Sequence, residues 1–324
     1  MVIDRRSLLV FASLTASFGA GCILSVGTDD RSVADAGKSD GGVDLGDAAC
    51  RLGEPFSALK PEKELSRSTS DESVRLTPNG LEAYVGRRSV DINHIDLFRY
   101  ERATRDAPWV LIGEVPLLDK FPDGGRTSAA NMTFTANGLE AIFQYYEDDT
   151  GHGSLFGTKR SSPSEPWSAP APVIGLDSPA SDEGPVLSAD GQTIYFFSDR
   201  ETRNPRLYTA SANGIGFTKP VRMPNINPDN DSYPVVTGDE LTLYFSSSKS
   251  KDNVLERKLY KTTRARRDLP FASPGVEVTE LNADGWLTVP SWVSPDGCEI
   301  YVLASRPDSN QTGLDVYSAR KPPR

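Results

Sequence analysis

The sequence predicts an all-β fold, a five-bladed β-propeller whose last blade is closed by the N-terminal strand of the domain. Three observations predict it. A unit of turn and strand recurs five times. Its turn positions, Gly80, Gly138, Gly191, Glu240 and Gly297, stand 58, 53, 49 and 57 residues apart, a spacing that fits four-stranded blades. The fifth unit has no room for a fourth strand, and a segment matching the missing strand stands at the front of the domain.

The first copy reads Leu76-Thr77-Pro78-Asn79-Gly80-Leu81-Glu82-Ala83-Tyr84-Val85, and the others carry Thr135-Ala136-Asn137-Gly138, Ser188-Ala189-Asp190-Gly191, Thr237-Gly238-Asp239-Glu240 and Ser294-Pro295-Asp296-Gly297. Asn-Gly and Asp-Gly supply the positive φ angles of a tight hairpin turn, and the aromatic and β-branched residues after it form a strand. A third strand follows in each copy at Leu97-Phe98, Leu155-Phe156, Leu207-Tyr208, Leu259-Tyr260 and Val316-Tyr317. A fourth is expected around Trp109, Trp167, Phe217 and Phe271, three of them preceded by proline, which an edge strand tolerates. Only seven residues follow Tyr317, but residues 53–60, with Glu54-Pro55-Phe56-Ser57-Ala58, match Glu165-Pro166-Trp167-Ser168-Ala169. Using them to finish the last blade removes two open sheet edges at once. The blades then fall near 65–116, 123–174, 178–223, 228–279 and 284–320 plus 52–60.

The chain has three cysteines, Cys22, Cys50 and Cys298. Closure brings Cys50 and Cys298 to one end of the last blade. A disulfide there, which an exported protein permits, would close nearly the whole domain and contribute at most about 4–5 kcal/mol. Two unpaired thiols are the alternative.

Residues 1–21 read as a signal peptide, with Arg5 and Arg6 ahead of a short apolar run too brief to span a bilayer. Cys22 after Gly19-Ala20-Gly21 resembles a bacterial lipobox, with Gly19 where leucine is preferred, and is the expected lipid attachment site. Arg5-Arg6-Ser7-Leu8-Leu9 also resembles a twin-arginine export signal. Residues 22–49 are rich in Asp, Gly, Ala and Ser without an aromatic residue, the composition of a disordered tether. The propeller is expected over 50–324, in an outer-membrane lipoprotein facing the periplasm or the cell surface.

A net charge of −10 opposes binding to nucleic acid. The run Ser188-Ala189-Asp190-Gly191-Gln192-Thr193-Ile194-Tyr195-Phe196, with Arg206-Leu207-Tyr208 after it, resembles the WD-like repeat of TolB-type propellers. The resemblance covers about residues 52–320. It implies a periplasmic or surface protein that serves as a scaffold for protein contacts.

The candidate site residues are acids. Asp71-Glu72, Asp182-Glu183 and Asp231 stand six residues before Thr77, Ser188 and Thr237, on the expected loop from an outer strand into the next innermost strand. There they either hydrogen-bond the loop backbone or form an acidic channel mouth that binds a cation, a basic peptide or a sugar. Catalysis is the third reading, because five-bladed propellers also occur in glycosidases, which use paired carboxylates. Repetition in register opposes it, since an active site needs unlike residues in unlike blades. No HExxH, phosphate-binding loop or Cys-x-x-Cys is present. Neither Asp148-Asp149 nor Asp229-Asn230-Asp231 has EF-hand spacing. No cofactor or metal is expected. His94 and His152 are placed in exposed loops, and Arg264-Ala265-Arg266-Arg267 on a solvated blade edge. The expected protein is a monomeric, non-enzymatic envelope scaffold that binds an unidentified protein or small ligand and meets the membrane only through its anchor. A glycan-active enzyme is the alternative.

Overall fold

The computed structural model describes residues 50–66, 70–89, 94–115, 127–147, 152–224, 226, 230–251, 254–283, 286–305 and 313–324. The segments read as signal peptide and tether, with Cys22, lie outside them, as do Asp148, Asp149 and Asp229.

The strands form five four-stranded antiparallel sheets. The N-terminal β1 (Lys60–Pro61) is followed by a first blade of β2 (Asp71–Leu76), β3 (Glu82–Arg88), β4 (Ile95–Glu101) and β5 (Val110–Glu114). The second blade is β6 (Thr127–Phe134), β7 (Glu140–Glu147), β8 (Gly153–Lys159) and β9 (Ala171–Pro172). The third is β10 (Asp182–Leu187), β11 (Thr193–Ser198), β12 (Arg206–Ser211) and β13 (Val221–Arg222). The fourth is β14 (Asn230–Val236), β15 (Thr242–Lys251), β16 (Val254–Thr263) and β17 (Val276–Glu277). The fifth is β18 (Leu287–Val293), β19 (Glu299–Ser305) and β20 (Asp315–Arg320), with β1 as its outer strand. The innermost strands pack β2 on β6, β6 on β10, β10 on β14, β14 on β18 and β18 on β2, so the ring closes.

The predicted turns form in all five blades, but only one residue in each carries a positive φ: Gly80, Gly138, Gly191, Gly297 and, at 56°, Glu240. The Asn or Asp ahead of it works through its side chain. Asn79 Oδ1 accepts from the Thr77 hydroxyl at 2.8 Å and the Leu81 N–H at 2.9 Å, and Asn137, Asp190, Asp239 and Asp296 do the same. These clamps hold a longer turn than a two-residue hairpin.

Closure comes from the N-terminal segment, with a correction of place. The outer strand expected at 53–60 pairs with β20 only at Lys60 and Pro61. Phe56 inserts into the blade core, 5% exposed, while the Ser57 N–H donates to the Arg320 carbonyl at 2.8 Å. Trp109, Trp167, Phe217 and Phe271 likewise sit just ahead of their outer strands and are buried. Each anchors its strand by burying a large ring before the edge pairs. Cys50 and Cys298 form a disulfide with Cα atoms 5.7 Å apart. The Arg51 N–H to Pro322 carbonyl bond beside it, at 2.9 Å, ties the segment ahead of β1 to the segment after β20.

A second set of residues joins blade to blade. Arg160, just after β8, lies 4.5 Å over the Trp167 ring and donates to the Gly138 and Pro163 carbonyls of its own blade. It also reaches the Glu82 carboxylate at 3.2 Å and the Tyr84 hydroxyl at 3.3 Å in the preceding blade. Arg102 repeats this over Trp109, with Gly80, Tyr301 and Glu299. Arg264 repeats it over Phe271, with the Glu240 carbonyl and the Tyr195 hydroxyl. The sequence reading placed Arg264 on a solvated edge, but its side chain is only 10% exposed; Arg266, at 69%, does face solvent. Lys321 takes the position in the last blade, 4.4 Å over Phe56.

Candidate functional site

The five acids expected on loops belong to strands. Asp71 and Glu72 open β2, Asp182 and Glu183 open β10, and Asp231 lies in β14. Their side chains divide by strand alternation. Asp71, Asp182 and Asp231 are buried in their blades, at 0%, 2% and 3% exposure. Asp71 pairs with Arg87 at 3.1 Å, and Asp182 takes Arg200 at 2.5 Å and the Ser178 hydroxyl at 2.7 Å. Asp71 and Asp182 are therefore structural, close to the backbone-bonding reading but with arginine as partner.

The two glutamates take other partners. Glu72 accepts from Arg88 Nε at 2.8 Å. Glu183 accepts from Gln144 at 2.8 Å, from the Tyr146 hydroxyl at 3.0 Å and from the Ser181 hydroxyl at 2.7 Å. Burial and then Glu183 push the Tyr146 phenol well above its usual range. His94, expected in an exposed loop, pairs with Asp96 at 3.1 Å with its side chain 12% exposed, and His152 is half-buried.

Every innermost strand shifts register, in β6, β10, β14 and β18 just ahead of the turn and in β2 earlier, between Asp71 and Ser73, and these bulges shape the ring centre. Asn131, Gly184 and Tyr233 occupy the equivalent bulge position with φ of 53°, 59° and 52°. Only glycine fits at 184, because a Cβ there would lie 2.7 Å from the Phe197 ring. Tyr233 packs on Phe197 at 4.8 Å and also against the apolar cluster shared by the fifth and first blades. It therefore spans the ring centre. Asn131 binds Gln144 Oε1 at 2.9 Å, and Gln144 continues to Glu183.

Below this plug is a cavity of about 70 Å³, rimmed by the turn residues Pro78, Ala189, Gly238 and Pro295. One repeat position supplies a wall residue from each blade: Arg75, Thr133, Val186, Val235 and Trp292. Arg75 is 3% exposed and has no carboxylate partner among the described residues. Its one hydrogen bond among the described residues, to Asn131 Oδ1, is long at 3.4 Å, and its Nε has none there. Burial pushes its guanidinium down to about 9, so it remains cationic at neutral pH. Sequence reasoning missed Arg75, Asn131, Gln144, Tyr146 and Tyr233. A signal for Arg75 existed: it stands just before Leu76, where three other blades carry Val186, Val235 and Trp292.

No family model matches the chain, and no curated protein matches it in sequence. Solved structures match its fold. A family 117 glycoside hydrolase of the marine bacterium Zobellia galactanivorans aligns with TM-score 0.52 at 12% identity, over 82% of this chain and 89% of its own. The RS223 β-xylosidase aligns with TM-score 0.52 at 12% identity, over 81% and 94%. TolB of Acinetobacter baumannii aligns with TM-score 0.46 at 13% identity, over 83% of this chain and 64% of its own. The propeller fold is thus shared with glycoside hydrolases, and fold by itself assigns no activity.

Proposed function

We propose that this chain is a non-enzymatic binding or scaffold lipoprotein of the bacterial cell envelope, exported, anchored through Cys22, and binding a ligand in its central channel. The observation that carries the binding reading is the distribution of spare polar capacity around the ring. Glu183 is saturated by three donors and Glu72 is held by an arginine, so neither is a bare carboxylate beside a cleft. Arg75 is the reverse, a buried cation with unused donors facing a cavity. Such a charge is costly unless something accepts from it. The ligand therefore presents an anionic or acceptor-rich group at the turn face. The envelope and anchor parts rest on the charged and apolar segments around Arg5, Arg6 and Cys22.

Titrating the full chain with acetate, phosphate and glycan acids tests the channel reading. Binding should saturate in the wild type and disappear in Arg75→Met. Glycoside turnover that Glu183→Gln abolishes would overturn the proposal in favour of an enzyme. Incorporation of labelled palmitate, lost in Cys22→Ala, tests the anchor.

A further inference from the structure

Three blade junctions are filled by arginines of the chain itself, Arg102, Arg160 and Arg264, and a fourth by Lys321. The junction between the second and third blades has no such cation. Its repeat position holds Ala212, and the backbone shows that the position is the same. The Ala212 N–H donates to the Gln192 carbonyl at 2.8 Å, as the Arg160 N–H donates to Leu139 at 2.8 Å and the Arg102 N–H to Leu81 at 3.0 Å.

Where the missing side chain would run there is a cavity of about 550 Å³. Its wall carries the acceptors that receive arginine elsewhere. Glu140 is the repeat equivalent of Glu82 and Glu299, the carboxylates that face Arg160 and Arg102. The Gly191 carbonyl corresponds to those of Gly80 and Gly138, which accept from the two arginine Nε atoms. Two cations also line the cavity. Arg160 is engaged by Glu82, and Lys159 lies opposite Glu140 in the ladder without forming an ion pair with it. Burial raises the Glu140 carboxyl above its usual value, and Lys159 offsets this only in part.

We propose that this cleft is a receptor for an arginine side chain of a partner polypeptide. The incoming guanidinium would bind the Glu140 carboxylate and the Gly191 carbonyl, completing in trans the junction that the chain completes in cis in neighbouring blades. Arginine suits the acceptor set better than lysine because its planar fork can meet a carboxylate and a carbonyl together. The site is separate from the channel and independent of the function proposed for it.

The probes are Nα-acetyl-arginine amide, its lysine and citrulline counterparts, agmatine, and an extended peptide with one central arginine, each titrated into the full chain by calorimetry. The arginine amide should bind saturably, the lysine amide more weakly, and the citrulline amide not at all. Glu140→Gln should weaken binding at least about tenfold. Ala212→Arg should abolish it and raise the melting temperature, because the chain then fills its own cleft. Arg75→Met should leave it unchanged. Undiminished binding in Glu140→Gln or Ala212→Arg, or none in the wild type, would overturn the site. Agmatine binding as tightly as the peptide would overturn the polypeptide assignment.

Discussion

The Glu240 carboxylate accepts a 2.6 Å hydrogen bond from the Tyr195 hydroxyl and lies 3.4 Å from Arg264 Nη2. This explains the one turn that lacks glycine. In the neighbouring junctions the carboxylate comes from the start of the preceding blade's second strand, at Glu82 or Glu299. In the third blade that position is Thr193. The acid has moved to the turn of the following blade, where it must adopt a left-handed φ of 56°.

Glu240→Gly should therefore destabilise the protein. It relieves about 1 kcal/mol of backbone strain but leaves Arg264 buried without its carboxylate, at a cost of about 3–5 kcal/mol. Thr193→Glu in the same background should recover most of the loss in urea denaturation. A Glu240→Gly protein as stable as wild type would contradict the assignment.

Arg160→Ala should cost up to about 3–5 kcal/mol, since it removes one of the two arginines paired with Glu82, Arg99 remaining 3.1 Å away. Arg160→Lys should restore only part, because an ammonium neither forks nor stacks as a guanidinium does. Equal stabilities of the Lys variant and wild type would show that charge alone matters there.

The disulfide spans 248 residues of sequence. Cys50→Ser, Cys298→Ser and the double variant should lose the same stability, up to about 5 kcal/mol. Losses that add in the double variant would mean that each sulfur has a separate packing role.

Arg75→Met should leave stability unchanged or raise it by about 1–4 kcal/mol, because it replaces a desolvated charge lacking a carboxylate with an apolar chain of similar length. A large loss would show that Arg75 holds the ring together.

Alkali should unfold the protein steeply. Tyr84, Tyr195, Tyr244 and Tyr301 hold one repeat position, and burial raises all four phenols, that of Tyr84 to about 12. A folded value above the unfolded value of 10 means stability that is complete below pH 10 and lost as pH rises through the folded value. Tyrosinate absorbance against pH should show a late group that titrates only with unfolding. Titration of all tyrosines near pH 10 without unfolding would disprove the coupling.

The five blades and the closure by the N-terminal segment were legible in the sequence, which also offered Cys298 as a candidate partner for Cys50 that the structure then bonded. These follow from local chemistry: a glycine that accepts a positive φ, an Asn or Asp that clamps its own turn, and a period that counts the copies. Tertiary structure alone decided what the acids do. Asp71 and Glu72 are adjacent in sequence, yet strand alternation sends one to Arg87 and the other to Arg88. The bulges then reset which residues meet at the ring centre, so Arg75, Asn131 and Tyr233 converge from three blades. Arg160 and Glu82 are 78 residues apart and meet only because one blade packs on the next. A repeat read along the chain shows what every blade shares. The charge left over at Arg75 and the cleft left open at Ala212 are departures from that repeat, and only neighbouring blades give them meaning.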